Sequence, residues 1–139
     1  AGQGKEQVLM DFKPVRKFLY NEKLSDVIGE GERPSLPLSI AEHRINELLT
    51  RVDSDKEIRL AYPDGMTLHL AAEGVEDPDL FPYIQLYTAP EKPFFCAESW
   101  MGFPNALNTV KGARWLLPGQ EEHGLLKVWL TFNGSAEKR

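Results

Sequence analysis

The chain has 139 residues, 42% of them hydrophobic and 27% charged, the balance of a chain that folds around one core rather than two. With 16 basic against 21 acidic side chains the formal net charge is −5, and Lys and Arg nowhere gather densely enough to neutralise a run of phosphates, so no nucleic acid is expected as a partner. No apolar run approaches the roughly 20 residues that cross a bilayer, and the opening AGQGKEQ has no apolar signal core, which excludes a spanning helix and gives no sign of export. One cysteine, Cys96, and three scattered histidines offer neither an internal disulfide nor metal-ligand spacing. The expectation is a single unit over residues 1–139, with no membrane and no metal, in a reducing, cytoplasmic compartment. It begins at Ala1 without an initiating Met and reads as a processed or excised piece.

In chain order, 11 Gly and 10 Pro punctuate the sequence into short segments, as in a sheet protein. Residues 7–12 and 15–20, split by Lys13-Pro14, read as strands, and so does the alternating EIRLAY of 57–62. Pro63-Asp64-Gly65 is a turn, since Pro fixes φ and Gly accepts positive φ, and MTLHLAA at 66–72 resumes the alternation, which makes a hairpin. In FPYIQLYT, 81–88, Tyr83, Gln85 and Tyr87 fall on one face and Ile84 and Leu86 on the other, as in a central strand. Further strands are expected at 94–97, 113–117 and 124–132, with a Pro118-Gly119 turn between the last two. Ile45, Leu48, Leu49 and Val52 repeat at i, i+3, i+4, i+7, with Ser39 and Glu42 at capping-box spacing, so one short helix is expected there, an irregular strand being the alternative. Residues 21–38 and 99–112 have no regular period and read as long binding or packing loops, and 134–139 as a frayed tail.

Chemistry concentrates in PFFCAESWMGFPNALNT, 93–109. There Glu98 ends a strand beside Trp100 and Phe103, and two side-chain amides follow at Asn105 and Asn108. A carboxylate desolvated among rings has its pKa raised toward that of a general base at neutral pH. Rings beside amides also hold sugars, with C–H faces stacked and hydroxyls paired to polar groups. The plainer reading of the same residues makes Phe94, Phe95 and Trp100 core, Asn105 and Asn108 turn caps, and Glu98 the partner of an Arg.

The wording of this region resembles the aldose 1-epimerase (galactose mutarotase) family. Its strand-ending Glu is matched by Cys96-Ala97-Glu98-Ser99-Trp100, its P-x-A-L-N-T loop by Pro104 to Thr109, its P-G turn by Pro118-Gly119, and its Y-T strand end by Tyr87-Thr88. Shorter matches lie upstream at Asp11-Phe12 and at Leu24-Ser25-Asp26-Val27. The resemblance implies an antiparallel β-sandwich of the galactose mutarotase-like type, of which this chain is the C-terminal portion. It implies anomer interconversion of a hexose by ring opening, Glu98 taking the anomeric proton while a His serves the ring oxygen, with Asp26, Trp100, Asn105 and Asn108 as sugar contacts and no cofactor. The family's histidines lie in the half absent here. His69 reads as a strand-face residue and His43 and His123 as solvated, so the acid is expected from outside this chain, and because a half sandwich leaves strand edges and an apolar face uncovered, a partner is expected, a complementary N-terminal half chain or a second copy. Ser99 stands where the family commonly has Pro. The alternative implied is a non-catalytic carbohydrate-binding or assembly subunit of the same fold.

Overall fold

The computed structural model describes residues 4–42, 45, 48–52, 57–89 and 92–133, with the backbone alone at 48, 49, 51 and 52. Among these residues, after a 3-10 turn at Lys5–Gln7, come ten strands: β1 (Leu9–Asp11), β2 (Pro14–Tyr20), β3 (Val27–Gly31), β4 (Leu38–Ser39), β5 (Leu48–Val52), β6 (Ile58–Ala61), β7 (Met66–Gly74), β8 (Tyr83–Tyr87), β9 (Cys96–Trp100) and β10 (Gly124–Phe132). A single helical turn, α1 (Ala106–Thr109), precedes β10. The protein is mainly β, and every pairing is antiparallel. One five-stranded sheet runs β10-β7-β6-β1-β4 and the other β3-β2-β5-β8-β9.

Period-two alternation puts one side of each sheet onto a shared core. Met10 of β1, Ile58 and Leu60 of β6, and Ile84 and Leu86 of β8 are buried together with Val8, Phe12, Ile40 and Ile45, and Leu68, Leu70 and Ala97 pack against them. Ile84 and Leu86 therefore face inward, while Tyr83, Gln85 and Tyr87 take the opposite face of β8, as the alternation predicts. The 63–65 turn closes β6 onto β7 with Gly65 at φ 87°. Its amide donates to the Tyr62 carbonyl at 3.1 Å, and the Asp64 carboxylate accepts from the Met66 amide at 3.1 Å.

Three expectations are corrected. Residues 48–52 form strand β5, paired with both β2 and β8, and no helix spans 45–52; the Ile, Leu and Val spacing fits either period, and hydrogen bonding from two flanking strands decides for β. Ser39 lies in β4 and its hydroxyl accepts from the Ala41 amide at 3.1 Å, capping a turn rather than a helix. The 21–38 connection holds a whole strand, β3, whose Gly29 and Gly31 hid it from propensity. The 113–117 segment is not a strand: Trp115, Leu116 and Leu117 are 73%, 55% and 68% exposed, and no strand offers them an edge among the described residues. Arg114 anchors this stretch through Asp77 at 2.9 Å and through Glu122, and Gly119, at φ 83°, turns it back. The expected 134–139 tail and His43 lie outside the described residues.

Candidate functional site

The face of β8 and β9 turned away from the core carries the predicted residues. In register, Gln85 opposes Glu98 and Tyr83 opposes Trp100, so Glu98 and Trp100 share this face with Gln85 and Tyr83 while Ala97 points inward. The Trp100 indole Nε1 donates to Glu98 Oε2 at 3.1 Å. Oε1 has no partner among the described residues, so the carboxylate is oriented by one oxygen and open at the other. Glu98 is exposed; the enclosure between rings read from the sequence is not formed, because a strand-edge side chain on the outward face keeps its water.

The remaining predicted residues meet one another from far apart in the chain. Asn105 Nδ2 donates to Asp26 Oδ1 at 2.9 Å, and Asn108 Nδ2 donates to Asn105 Oδ1 at 2.5 Å. Asp26 ends the β2–β3 turn, where Asn21 Oδ1 accepts the Ser25 amide at 2.9 Å and the Ser25 hydroxyl donates to Asp26 Oδ2 at 2.9 Å, the local side-chain bonding that favours Asn and Ser in turns. The Asn105 bond, and then the Ser25 bond, hold the Asp26 carboxyl below its ordinary value of 3.8, so at neutral pH it is an acceptor only. Asn105 sits in the left-handed region at φ 59°, ψ 19°, which Asn tolerates better than most residues. α1 begins at this point.

The Glu98–Trp100 pair and the Asp26–Asn105–Asn108 chain are two separate groups, and the loop that carries Asn105 lays an aromatic floor on β2 and β8 through Phe103. Phe103 lies edge-on to Phe18 with centroids 5.1 Å apart, and 4.6 Å from the Tyr83 ring. Gly112 lets this loop close: its φ is +70°, and a Cβ there would meet the Phe103 ring at 2.7 Å and the Phe103 amide nitrogen at 3.2 Å. Under the floor the Tyr20 hydroxyl donates to the buried Gln85 Oε1 at 2.7 Å, and Gln85 Nε2 donates to the Leu86 carbonyl at 2.8 Å. Tyr20 escaped sequence reasoning. The available signal was the Asn21–Asp26 turn directly after it, which marks β2 as a hairpin strand feeding this face.

The described histidines lie elsewhere. His69, on the outward face of the other sheet, has Nδ1 2.7 Å from Glu57 Oε1 and Nε2 2.7 Å from Thr131 Oγ1, under a stacked Trp129 ring. The tautomer with its proton on Nδ1 satisfies both bonds. His123 Nδ1 faces Glu76 Oε1 at 2.8 Å. Among the described residues no three His, Cys, Asp or Glu side chains converge to hold a metal ion, and no helix is long and apolar enough to cross a membrane. A scan against protein-family models, a search of curated proteins and a search of solved structures each returned no match.

Proposed function

We propose that this chain is the C-terminal portion of a galactose mutarotase-like β-sandwich acting in the cytoplasm, and that the outward face of β8 and β9 binds a hexose. Glu98 is the general base of an aldose 1-epimerase reaction. The single observation that carries the reading is the Glu98 carboxylate, held by Trp100 at one oxygen and open at the other, with a preassembled acceptor and amide chain built on the loop that follows its strand. In the reaction Glu98 Oε1 takes the proton of the anomeric hydroxyl as the ring C–O bond breaks, and an acid protonates the ring oxygen. The open-chain aldehyde rotates about its C1–C2 bond and the steps reverse on the other carbonyl face, so proton and charge balance without a cofactor. Asp26, with its carboxyl held ionised, accepts hydrogen bonds from sugar hydroxyls, the Asn105 and Asn108 amides add donors and acceptors, and the Trp100 ring takes a C–H face of the sugar.

The acid comes from outside this chain, from a complementary N-terminal half. A non-catalytic carbohydrate-binding or assembly subunit is the second reading. It is favoured by the engagement of His69 with Glu57 and Thr131 and of His123 with Glu76, which leaves both occupied away from Glu98.

Polarimetry with freshly dissolved α-glucose and α-galactose on the assembled protein, this chain together with the partner that supplies the acid, alongside sugar binding followed by ligand-observed NMR, separates the readings. Epimerase function requires a rate above buffer that Glu98→Gln lowers by about 100-fold or more, the usual span of a general base. Binding weakened by Asp26→Ala with no rate above buffer selects the non-catalytic reading. The absence of any binding rejects both.

A further inference from the structure

We infer that two copies of this chain join edge to edge through β10, antiparallel about a two-fold axis at Trp129, fusing their β10-β7-β6-β1-β4 sheets into one. β10 is the outermost strand of its sheet and its only strand neighbour is β7, so one row of its N–H and C=O groups faces no strand among the described residues. Edge strands are ordinarily kept from pairing by shortness, charge, proline or a bulge. β10 has only one of these protections, a single charge. It runs nine residues, holds no Pro, and keeps unbroken register with β7 from Gly124–Gly74 to Phe132–Met66. Its one charged residue, Lys127, has its Nζ 2.5 Å from Glu73 Oε1.

The side chains point the same way. Leu126, Val128, Leu130 and Phe132 oppose Ala72, Leu70, Leu68 and Met66, so they lie on the face that continues the core, yet they are 66%, 66%, 50% and 69% exposed. A groove of about 420 Å³ runs from Leu126 and Val128 to Ala97, Glu98 and Trp100 of the other sheet. The core is therefore open along β10.

A second copy fits this edge because the strand is complementary to itself. The apolar stripe occupies 126–132, with its midpoint at Trp129. An antiparallel two-fold there sets Leu126 against the partner's Phe132 and Val128 against the partner's Leu130, so every stripe residue meets another. Lys127 then faces the partner's Thr131, so no like charges lie opposite one another. Moving the axis to Val128 would set Phe132 against the partner's Gly124 and lose an apolar pair. The four stripe side chains present on the order of 400 Å² per copy, about half of what a standard interface buries on each partner, and main-chain pairing adds area and hydrogen bonds. A contact of this kind is isologous and closes at two copies.

Light scattering and sedimentation on the chain at micromolar concentration should give twice the 15.7 kDa of one copy. The double variant Val128→Glu/Leu130→Glu places carboxylates opposite one another across the axis and should be monomeric with an unchanged far-ultraviolet circular dichroism spectrum, since both positions are already exposed. Mixing it with Val128→Lys/Leu130→Lys should restore a dimer of one copy of each. A monomeric wild type, a Glu variant that stays dimeric, or a mixture that does not reassociate overturns the inference. Val128 shares a groove with Glu98 and Trp100, but the dimer is read by mass and the sugar reading by polarimetry and NMR, so the failure of either is distinguishable from that of the other.

Discussion

Asn105 Nδ2 donates to Asp26 Oδ1 across 79 positions of sequence, tying the turn after β2 to the loop after β9. This bond is the largest contribution to the depressed pKa of Asp26, so the position of the loop and the charge of the carboxylate are coupled. Replacing Asn105 with Ala should raise the Asp26 carboxyl toward its ordinary 3.8, read from its carbon-13 shift through an acid titration, and should weaken sugar binding along with it. An unchanged titration would show that the loop does not set the carboxylate.

The same loop depends on Gly112. Adding a Cβ at φ +70° against the Phe103 ring combines a left-handed penalty with a clash, so Gly112→Ala should lower unfolding free energy by about 2 kcal/mol, measured in urea. Loss of the Phe103 contacts with Phe18 and Tyr83 should reduce sugar affinity in this variant more than in a core variant of equal instability.

Glu57 carries a pH dependence of known sign. Its carboxyl is held below the ordinary 4.5 by the hydrogen bond from His69 foremost and also by Arg59, with burial opposing. A carboxyl whose folded-state pKa is depressed adds stability that is complete above its unfolded value and is lost as pH falls through the folded one. Wild-type stability should thus decline on acidification below about pH 4.5 more steeply than that of Glu57→Gln. Equal acid limbs in the two urea series would refute the link.

Thr50 is 0% exposed, and its hydroxyl has no hydrogen-bond partner among the described residues. A buried unpaired hydroxyl costs free energy that an isosteric apolar side chain avoids. Thr50→Val should stabilise the fold by about 1 kcal/mol in urea unfolding; a destabilised variant would mean that the hydroxyl is satisfied in solution.

What the sequence by itself determined is what period and local chemistry encode. The two faces of β8, the 63–65 hairpin, β10 and the absence of a long helix among the described residues follow from alternation, fixed φ at Pro63 and free φ at Gly65. The choice of Glu98, Asp26, Trp100, Asn105 and Asn108 came from residue type and family wording. Their grouping did not, because a hydrogen bond such as Asn105–Asp26 leaves no periodic trace. Tertiary structure alone decided that 48–52 is a strand, since the pattern fits both periods and the hydrogen bonds of β2 and β8 break the tie. It also left Glu98 exposed and 113–117 unpaired, because burial and strand pairing are properties of neighbours, and neighbours are set by how the sheets close rather than by any segment read alone.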